Sequence, residues 1–180
     1  ENKKRGNFTK IMITESLQKL EKLVNSELAS KIQNSIIEHN ELLIEINDTD
    51  LVEVIQFLKS NDSFKFRQLI DIAGADYPEE EKRFHLIYLL LSHENNLRIK
   101  IIIKFQINQT ISSITKVFPS ANWMEREVFD MYGVKLKNHP DLRRILTDYN
   151  YKDHPLRKDF PLTGFNEVRA GEKEIKVIYE

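Results

Sequence analysis

The sequence predicts a two-layer α+β domain in which helices cover a mixed, largely antiparallel sheet of about five strands. Residues 97–107 alternate between apolar and polar side chains, which is typical of a strand with one buried and one solvated face. Segments with apolar residues at helical spacing stand before and between the predicted strands. We expect the domain body to span residues 1–136 and an extended, irregular segment to span residues 137–180.

The first half of the chain supplies two predicted helices and two predicted strands. Residues 11–24 repeat apolar side chains every three or four positions and predict a helix. Residues 31–37 and 42–46 predict two strands around a turn, although their pairing could also be with other strands. Asp50 and Glu53 resemble a capping box, which predicts the start of a second helix.

The middle of the chain is predicted to form the centre of the sheet. A strand is predicted for residues 64–73, and we expect the run from Ala73 to Pro78 to break it. Residues 84–92 and 97–107 flank the polar turn 93–96 and therefore predict a hairpin.

A third helix is predicted for residues 123–132, preceded by one or two helical turns in residues 112–118. Asn122 and Glu125 resemble a capping box at its start, and Gly133 suits the position just after its end. Regular periodicity then thins out. We expect a short strand at residues 134–136, a turn of helix at residues 142–146, irregular structure from residue 149, and an alternating charged tail at residues 172–180.

Composition limits the classes of function. The 180 residues carry 27 basic and 28 acidic side chains, a balance that disfavours a dedicated nucleic-acid binder. The sequence holds no cysteine, which excludes disulfides, thiolate catalysis and cysteine-ligated iron–sulfur clusters. No apolar run approaches the roughly 18–20 residues of a membrane helix, so we expect contact with a membrane only through a partner.

Two clusters of titratable residues could suggest chemistry, but a structural role is favoured for each. Glu125, Glu127 and Asp130 could form an acid–base pair, yet Arg126 stands among them, which favours ion pairs, caps and an Arg126–Asp130 contact one helical turn apart. The second cluster could bind a metal, but a gap of fifteen residues containing prolines does not specify convergence. Its members are His139, His154, Asp141, Asp148 and Asp153. We therefore expect no catalytic, cofactor-binding or metal-binding residue.

The segment after residue 139 interleaves cations with aromatic residues. Arginine and aromatic side chains at this density could bind single-stranded nucleic acid or another protein. These residues are Arg143, Arg144, Arg157, Lys158, Tyr149, Tyr151 and Phe160. The interleaved carboxylates would repel phosphates, and they fit internal pairing with arginine and a protein interface better. Partner docking is therefore favoured, with a free-standing nucleic-acid-binding or adaptor protein as the alternative.

Three phrases in this region are distinctive: Glu125-Arg126-Glu127, Asp130-Met131-Tyr132-Gly133 and His139-Pro140-Asp141-Leu142-Arg143-Arg144-Ile145-Leu146. Together with Thr147-Asp148-Tyr149, the run from His154 to Gly164, and Glu167-Val168-Arg169, the chain resembles the 30-kDa subunit of respiratory complex I, the proton-pumping NADH:ubiquinone oxidoreductase. The sequence departs from that family at Asp153, where glycine is common, and at Ala170-Gly171, which replace a tyrosine and an acid. These departures concern contacts near the C-terminus.

The resemblance implies a non-catalytic core subunit of the peripheral arm that binds the 49-kDa subunit and stabilises the quinone module. It implies that NADH, FMN, iron–sulfur clusters and ubiquinone are bound by neighbouring subunits and not by this chain. The signature positions are Glu125, Arg126, Glu127, Asp130, Gly133, His139, Pro140, Arg143 and Arg144. The implied partner-binding residues are Asp148, Tyr149, His154, Pro155, Arg157, Lys158, Asp159, Phe160, Pro161 and Leu162.

The phrase LTDY followed by RKDFPL is closer to mitochondrial and alphaproteobacterial versions than to plastid ones. The chain is also rich in Ile, Lys and Asn, whose codons are AT-rich, as in many organelle genomes. We therefore expect the matrix side of the mitochondrial inner membrane, with the cytoplasmic face of a bacterial plasma membrane as the alternative.

Overall fold

A five-stranded sheet forms the centre of the protein. The computed structural model describes residues 2–161, 168–170 and 177–179, with side chains described from residue 15 to residue 161. The strands are β1 (Ile32–Glu38), β2 (Glu41–Ile46), β3 (Gln68–Asp76), β4 (Phe84–Ser92) and β5 (Leu97–Phe105). Their order is β1-β2-β5-β4-β3, and only the β2–β5 pair is parallel. The prediction of a mixed, largely antiparallel sheet, including both hairpins, is confirmed.

Three helices pack on the apolar side of this sheet. They are α1 (Asn2–Glu27), α2 (Leu51–Ser60) and α3 (Ala121–Tyr132). Side chains of all three helices join the buried face of the sheet in one apolar core, which confirms the two-layer α+β architecture. The opposite face carries cross-strand ion pairs, Lys100–Glu41 at 2.6 Å and Lys104–Glu45 at 3.1 Å. Of the helices in the described part of the chain, none has both the length and the apolar character required to cross a bilayer.

The strand β3 corrects a prediction. It does not end at Ala73 but continues through Gly74 to Asp76, paired with β4 over its whole length. A Cβ at Gly74 would lie 2.6 Å from the ring of Tyr132, so the glycine allows α3 to approach the sheet closely. The glycine therefore serves packing between layers and does not interrupt the strand.

Several shorter elements also differ from prediction. A 3₁₀ turn (Asp48–Asp50) precedes α2, and the Asp50 side chain makes no capping bond, so the predicted capping box is wrong. Residues 112–118 form no helix, because Thr110–Ser112 is a strand (β6) that pairs in parallel with Lys135–Lys137 (β7). The strand predicted at residues 134–136 is thus present, shifted by one residue. Residues 142–146 form no helical turn. Two further strands, Val168–Ala170 (β8) and Val177–Tyr179 (β9), pair antiparallel, the latter within the predicted alternating tail.

Candidate partner-binding segment

The helix α3 begins without the predicted capping box. It starts at Ala121, and the side chain of its N-cap residue, Ser120, makes no capping bond. Glu125 is fully buried instead, accepting hydrogen bonds from the Ser113 hydroxyl at 2.6 Å and the Ile114 N–H at 2.7 Å. Burial raises the pKa of Glu125, and these two hydrogen bonds oppose the rise only in part. Glu125 therefore fastens the loop before the helix to the interior.

Asp130 organises the start of the C-terminal segment (residues 137–161). Its carboxylate is buried and accepts N–H bonds from Ile145 at 3.0 Å, Leu146 at 2.8 Å and Thr147 at 2.9 Å. It also accepts the Thr147 hydroxyl at 2.5 Å and the Arg144 guanidinium at 2.6 Å. Burial alone would raise the pKa of Asp130, but the bonds from Thr147, Leu146 and Ile145 outweigh it and hold that pKa well below its ordinary range. These bonds bend residues 144–147 around one carboxylate, where a helical turn was expected.

Two arginines of the signature act within the chain. Arg144 is buried against Asp130, and it also donates to the carbonyl oxygen of Asp153 at 3.1 Å. Arg126 donates to the carbonyl oxygens of Arg143 and Arg144, both at 3.0 Å. The expected contact between Arg126 and Asp130 is therefore wrong, because each side chain reaches the C-terminal segment and not the other.

The end of α3 is capped by residues far along the sequence. Gly133 adopts φ +76° and its N–H donates to the carbonyl oxygen of Phe129 at 2.8 Å, which confirms its predicted position after the helix. The next three carbonyl oxygens, which lack helical partners, accept hydrogen bonds from the C-terminal segment. His154 Nδ1 lies 2.8 Å from the Asp130 oxygen, the Leu156 N–H 3.2 Å from that of Met131, and Arg157 Nε 2.7 Å from that of Tyr132.

The two His-Pro phrases bind opposite ends of the same helix. His139 Nε2 lies 3.1 Å from the carbonyl oxygen of Asn122, in the first turn of α3, and 3.8 Å from the carboxylate of Glu125. The N–H of Asp141 donates to His139 Nδ1, so the neutral ring carries its proton on Nε2 and donates it to Asn122. Since His154 binds the last turn, the near-repeated phrases have a common physical role in holding α3.

A second buried ion pair fastens the far part of the C-terminal segment to the sheet. Arg83 binds both carboxylate oxygens of Asp76, at 2.6 and 2.7 Å, and also Asp159 at 2.9 Å. The N–H of Lys158 donates to Asp76 at 2.8 Å. The hydrogen bond from Arg83 is the main cause that lowers the pKa of Asp76, and the same contact lowers that of Asp159.

The residues implied as partner-binding therefore fall into two groups. His154 and Arg157 are half-buried and bound to α3, and Asp159 pairs with Arg83 while remaining exposed. Asp148, Tyr149 and Lys158 are exposed, whereas Pro155, Phe160 and Pro161 are partly buried. Leu162 lies outside the described residues. Their role toward a partner stays a prediction.

Sequence reasoning missed three exposed apolar side chains beside this segment. Trp123 is 70% exposed, Leu146 63% and Leu156 50%. Trp123 lies off the apolar stripe of α3 formed by Val128 and Met131, and that mismatch is the signal in the sequence that could have revealed it. In the described residues no group of three or more histidine, aspartate or glutamate side chains is arranged to hold a metal ion.

The chain is similar to proteins of known families over most of its length. A subunit of the NADH-quinone oxidoreductase of Chelativorans sp. (strain BNC1) is 44% identical over 168 residues, which is 93% of this chain and 84% of the relative. The protein of the same name from Mesorhizobium japonicum is 45% identical over 165 residues, 92% and 82% of the two chains. A chain from the structure of the membrane-bound sulfane sulfur reductase, an archaeal respiratory membrane complex, shares the fold with a TM-score of 0.68 and 19% identity, covering 82% of this chain and 86% of that one.

The family model described as "Respiratory-chain NADH dehydrogenase, 30 Kd subunit" matches residues 44–166. This range includes most of the sheet, α3 and the described C-terminal segment. The match covers more than half of the chain, and the two bacterial relatives agree with it. The chain belongs to the 30-kDa subunit family of respiratory-chain NADH dehydrogenases.

Proposed function

We propose that this chain is a non-catalytic core subunit of the peripheral arm of proton-translocating NADH:ubiquinone oxidoreductase, where it binds the 49-kDa subunit and stabilises the quinone module. Family membership and the names of the bacterial relatives support the assignment to that complex. The observation that carries the docking role is the C-terminal segment, which is held by buried polar bonds while Leu146 and Tyr149 point outward. A surface fixed in this way loses little entropy on binding.

The carboxylates of α3 are engaged in structure. Asp130 accepts five hydrogen bonds, and Glu125 is bound by Ser113 and Ile114. Glu127 is exposed on the helix. These contacts favour the structural interpretation of this cluster over an acid–base pair. In the proposed complex NADH, FMN, iron–sulfur clusters and ubiquinone are bound by neighbouring subunits, in keeping with a chain that has no cysteine to ligate a cluster.

The alternative of a free nucleic-acid-binding protein is less well supported. Cations of the C-terminal segment are already paired, Arg143 with Asp141 at 2.8 Å and Arg144 with Asp130 at 2.6 Å. A groove that binds single strands needs cations available for phosphates. The bacterial relatives favour the cytoplasmic face of a plasma membrane as the location. The mitochondrial inner membrane stays a prediction.

Co-isolation from mild detergent tests the proposal. A tagged chain is expressed in a host that lacks its own copy of this subunit, and the isolated material is analysed for the 49-kDa subunit and for NADH:ubiquinone reductase activity. We expect both to be recovered with the tag. Recovery of the chain alone, or with nucleic acid in a strongly salt-dependent manner, contradicts the proposal.

Arg143→Ala tests the segment without disturbing the core, since this arginine is largely exposed and pairs with Asp141. We expect less 49-kDa subunit to be recovered, because an arginine at an interface is a frequent binding determinant. Arg98→Ala, an exposed arginine on β5, is the matched control and is expected to leave recovery unchanged.

A further inference from the structure

A cleft of about 340 Å³ lies between α3 and residues 144–149 of the C-terminal segment. Arg126 and Arg144 both line it. Arg144 is neutralised by Asp130, whereas Arg126 donates only to two backbone carbonyl oxygens. Among the described residues Arg126 forms no ion pair within 4.0 Å. The cleft therefore contains a guanidinium group whose charge no described carboxylate balances.

Exposed apolar side chains stand around this cleft. Leu146 and Tyr149 line it and are 63% and 72% exposed. Trp123, 70% exposed, precedes Arg126 by three residues on α3 and so lies on the same helix face. Tryptophan, tyrosine and arginine are the residues enriched at the energetic centres of protein interfaces.

The position of these side chains is fixed before any partner binds. The N–H of Leu146 and the neighbouring N–H groups are held by the buried carboxylate of Asp130. Arg126 is held by the carbonyl oxygens of Arg143 and Arg144. A cleft whose backbone is ordered in this way needs little rearrangement on binding.

We propose that this cleft receives an aspartate or glutamate side chain of the neighbouring subunit, and that apolar residues beside that carboxylate pack on Trp123, Leu146 and Tyr149. The inference rests on the proposed function, because it concerns the same partner. A carboxylate matches the planar guanidinium of Arg126 and gains strength when surrounding apolar groups exclude water. Asp148 also lines the cleft, and its charge disfavours polyanions such as nucleic acid.

Competition between tagged chains tests the apolar part of the surface. The double variant Trp123→Ala/Tyr149→Ala and the wild type are expressed together with different tags, and their ratio in the assembled complex is measured by mass spectrometry. We expect the variant to be depleted at least about tenfold. Tyr77→Ala, which removes an exposed tyrosine outside the segment, is the matched control and should give equal incorporation.

Two results overturn the inference while leaving the proposed function intact. One is equal incorporation of the double variant and the wild type into the complex. The other is a lowered urea midpoint of the isolated double variant that accounts for its depletion. If the wild type itself is absent from the complex, the proposed function fails instead.

Photo-crosslinking tests the acidic partner. With p-benzoylphenylalanine in place of Tyr149, we expect a crosslink to a neighbouring subunit at an apolar segment that contains an aspartate or glutamate. A substitution of that acid by its amide should then reduce incorporation of the wild-type chain. A crosslink to a segment without a carboxylate, or an amide variant with normal incorporation, refutes the inference.

Discussion

The substitution Asp130→Asn should release the C-terminal segment from the body. It keeps the size of the side chain but removes the charge that faces the buried guanidinium of Arg144. It also places an amide N–H₂ against groups that donate, namely the three consecutive N–H groups from Ile145 to Thr147. Removing one partner of a buried ion pair costs about 3–5 kcal/mol, because the remaining charge stays buried and unpaired. We expect a loss of this size in the free energy of unfolding.

Urea unfolding of the isolated chain measures this loss, and amide exchange at Ile145, Leu146 and Thr147 shows where it acts. Asp141→Asn is the matched control, because it breaks an ion pair with Arg143 that is more than half exposed on both sides. That variant should lose less than about 1 kcal/mol. The double variant Asp130→Asn/Arg144→Met should be more stable than Asp130→Asn alone, since it leaves no unpaired buried charge.

The acid limb of the pH profile provides an independent check on Asp130. Its pKa is lowered in the folded protein, so below the ordinary value of 3.8 the unfolded chain binds the proton more readily. The contribution of Asp130 to stability is therefore present above that pH and is lost as the pH falls. A variant Asp130→Asn within about 1 kcal/mol of the wild type, or with the same acid slope, would refute this role.

Three further predictions concern the two ends of α3. Burial raises the pKa of Glu125, so its contribution to stability is present below the ordinary value of 4.5 and is lost as the pH rises through the folded pKa. Glu125→Gln should flatten that part of the urea-midpoint profile, and an unchanged slope would contradict the assignment. Burial lowers the pKa of His154, so stability should fall as the pH drops below the ordinary value of 6.5, and His154→Gln should remove this dependence in the same assay. Gly133→Ala should cost more than about 1 kcal/mol in urea unfolding, because φ is +76° and a Cβ would meet the Arg157 guanidinium; an unaffected midpoint would show that the turn can relax.

Periodicity predicted the elements whose own side chains define them. The hairpin of β4 and β5 follows from alternation along one strand, and the end of α3 at Gly133 follows from the need for a positive φ. The distinctive phrases after Trp123 also identified the family. These features depend on neighbours close in sequence, so they can be read without knowing the fold.

The destination of each polar side chain depended on the tertiary structure. A glutamate near a helix start can bind either the cap or an incoming loop, and for Glu125 the choice depends on Ser113 and Ile114, which lie beside it only because β6 pairs with β7. The spacing of Arg126 and Asp130 likewise permits a contact that the packed C-terminal segment replaces. A buried charge takes the partner that satisfies it best in three dimensions, and such partners here lie eleven or more residues away in sequence.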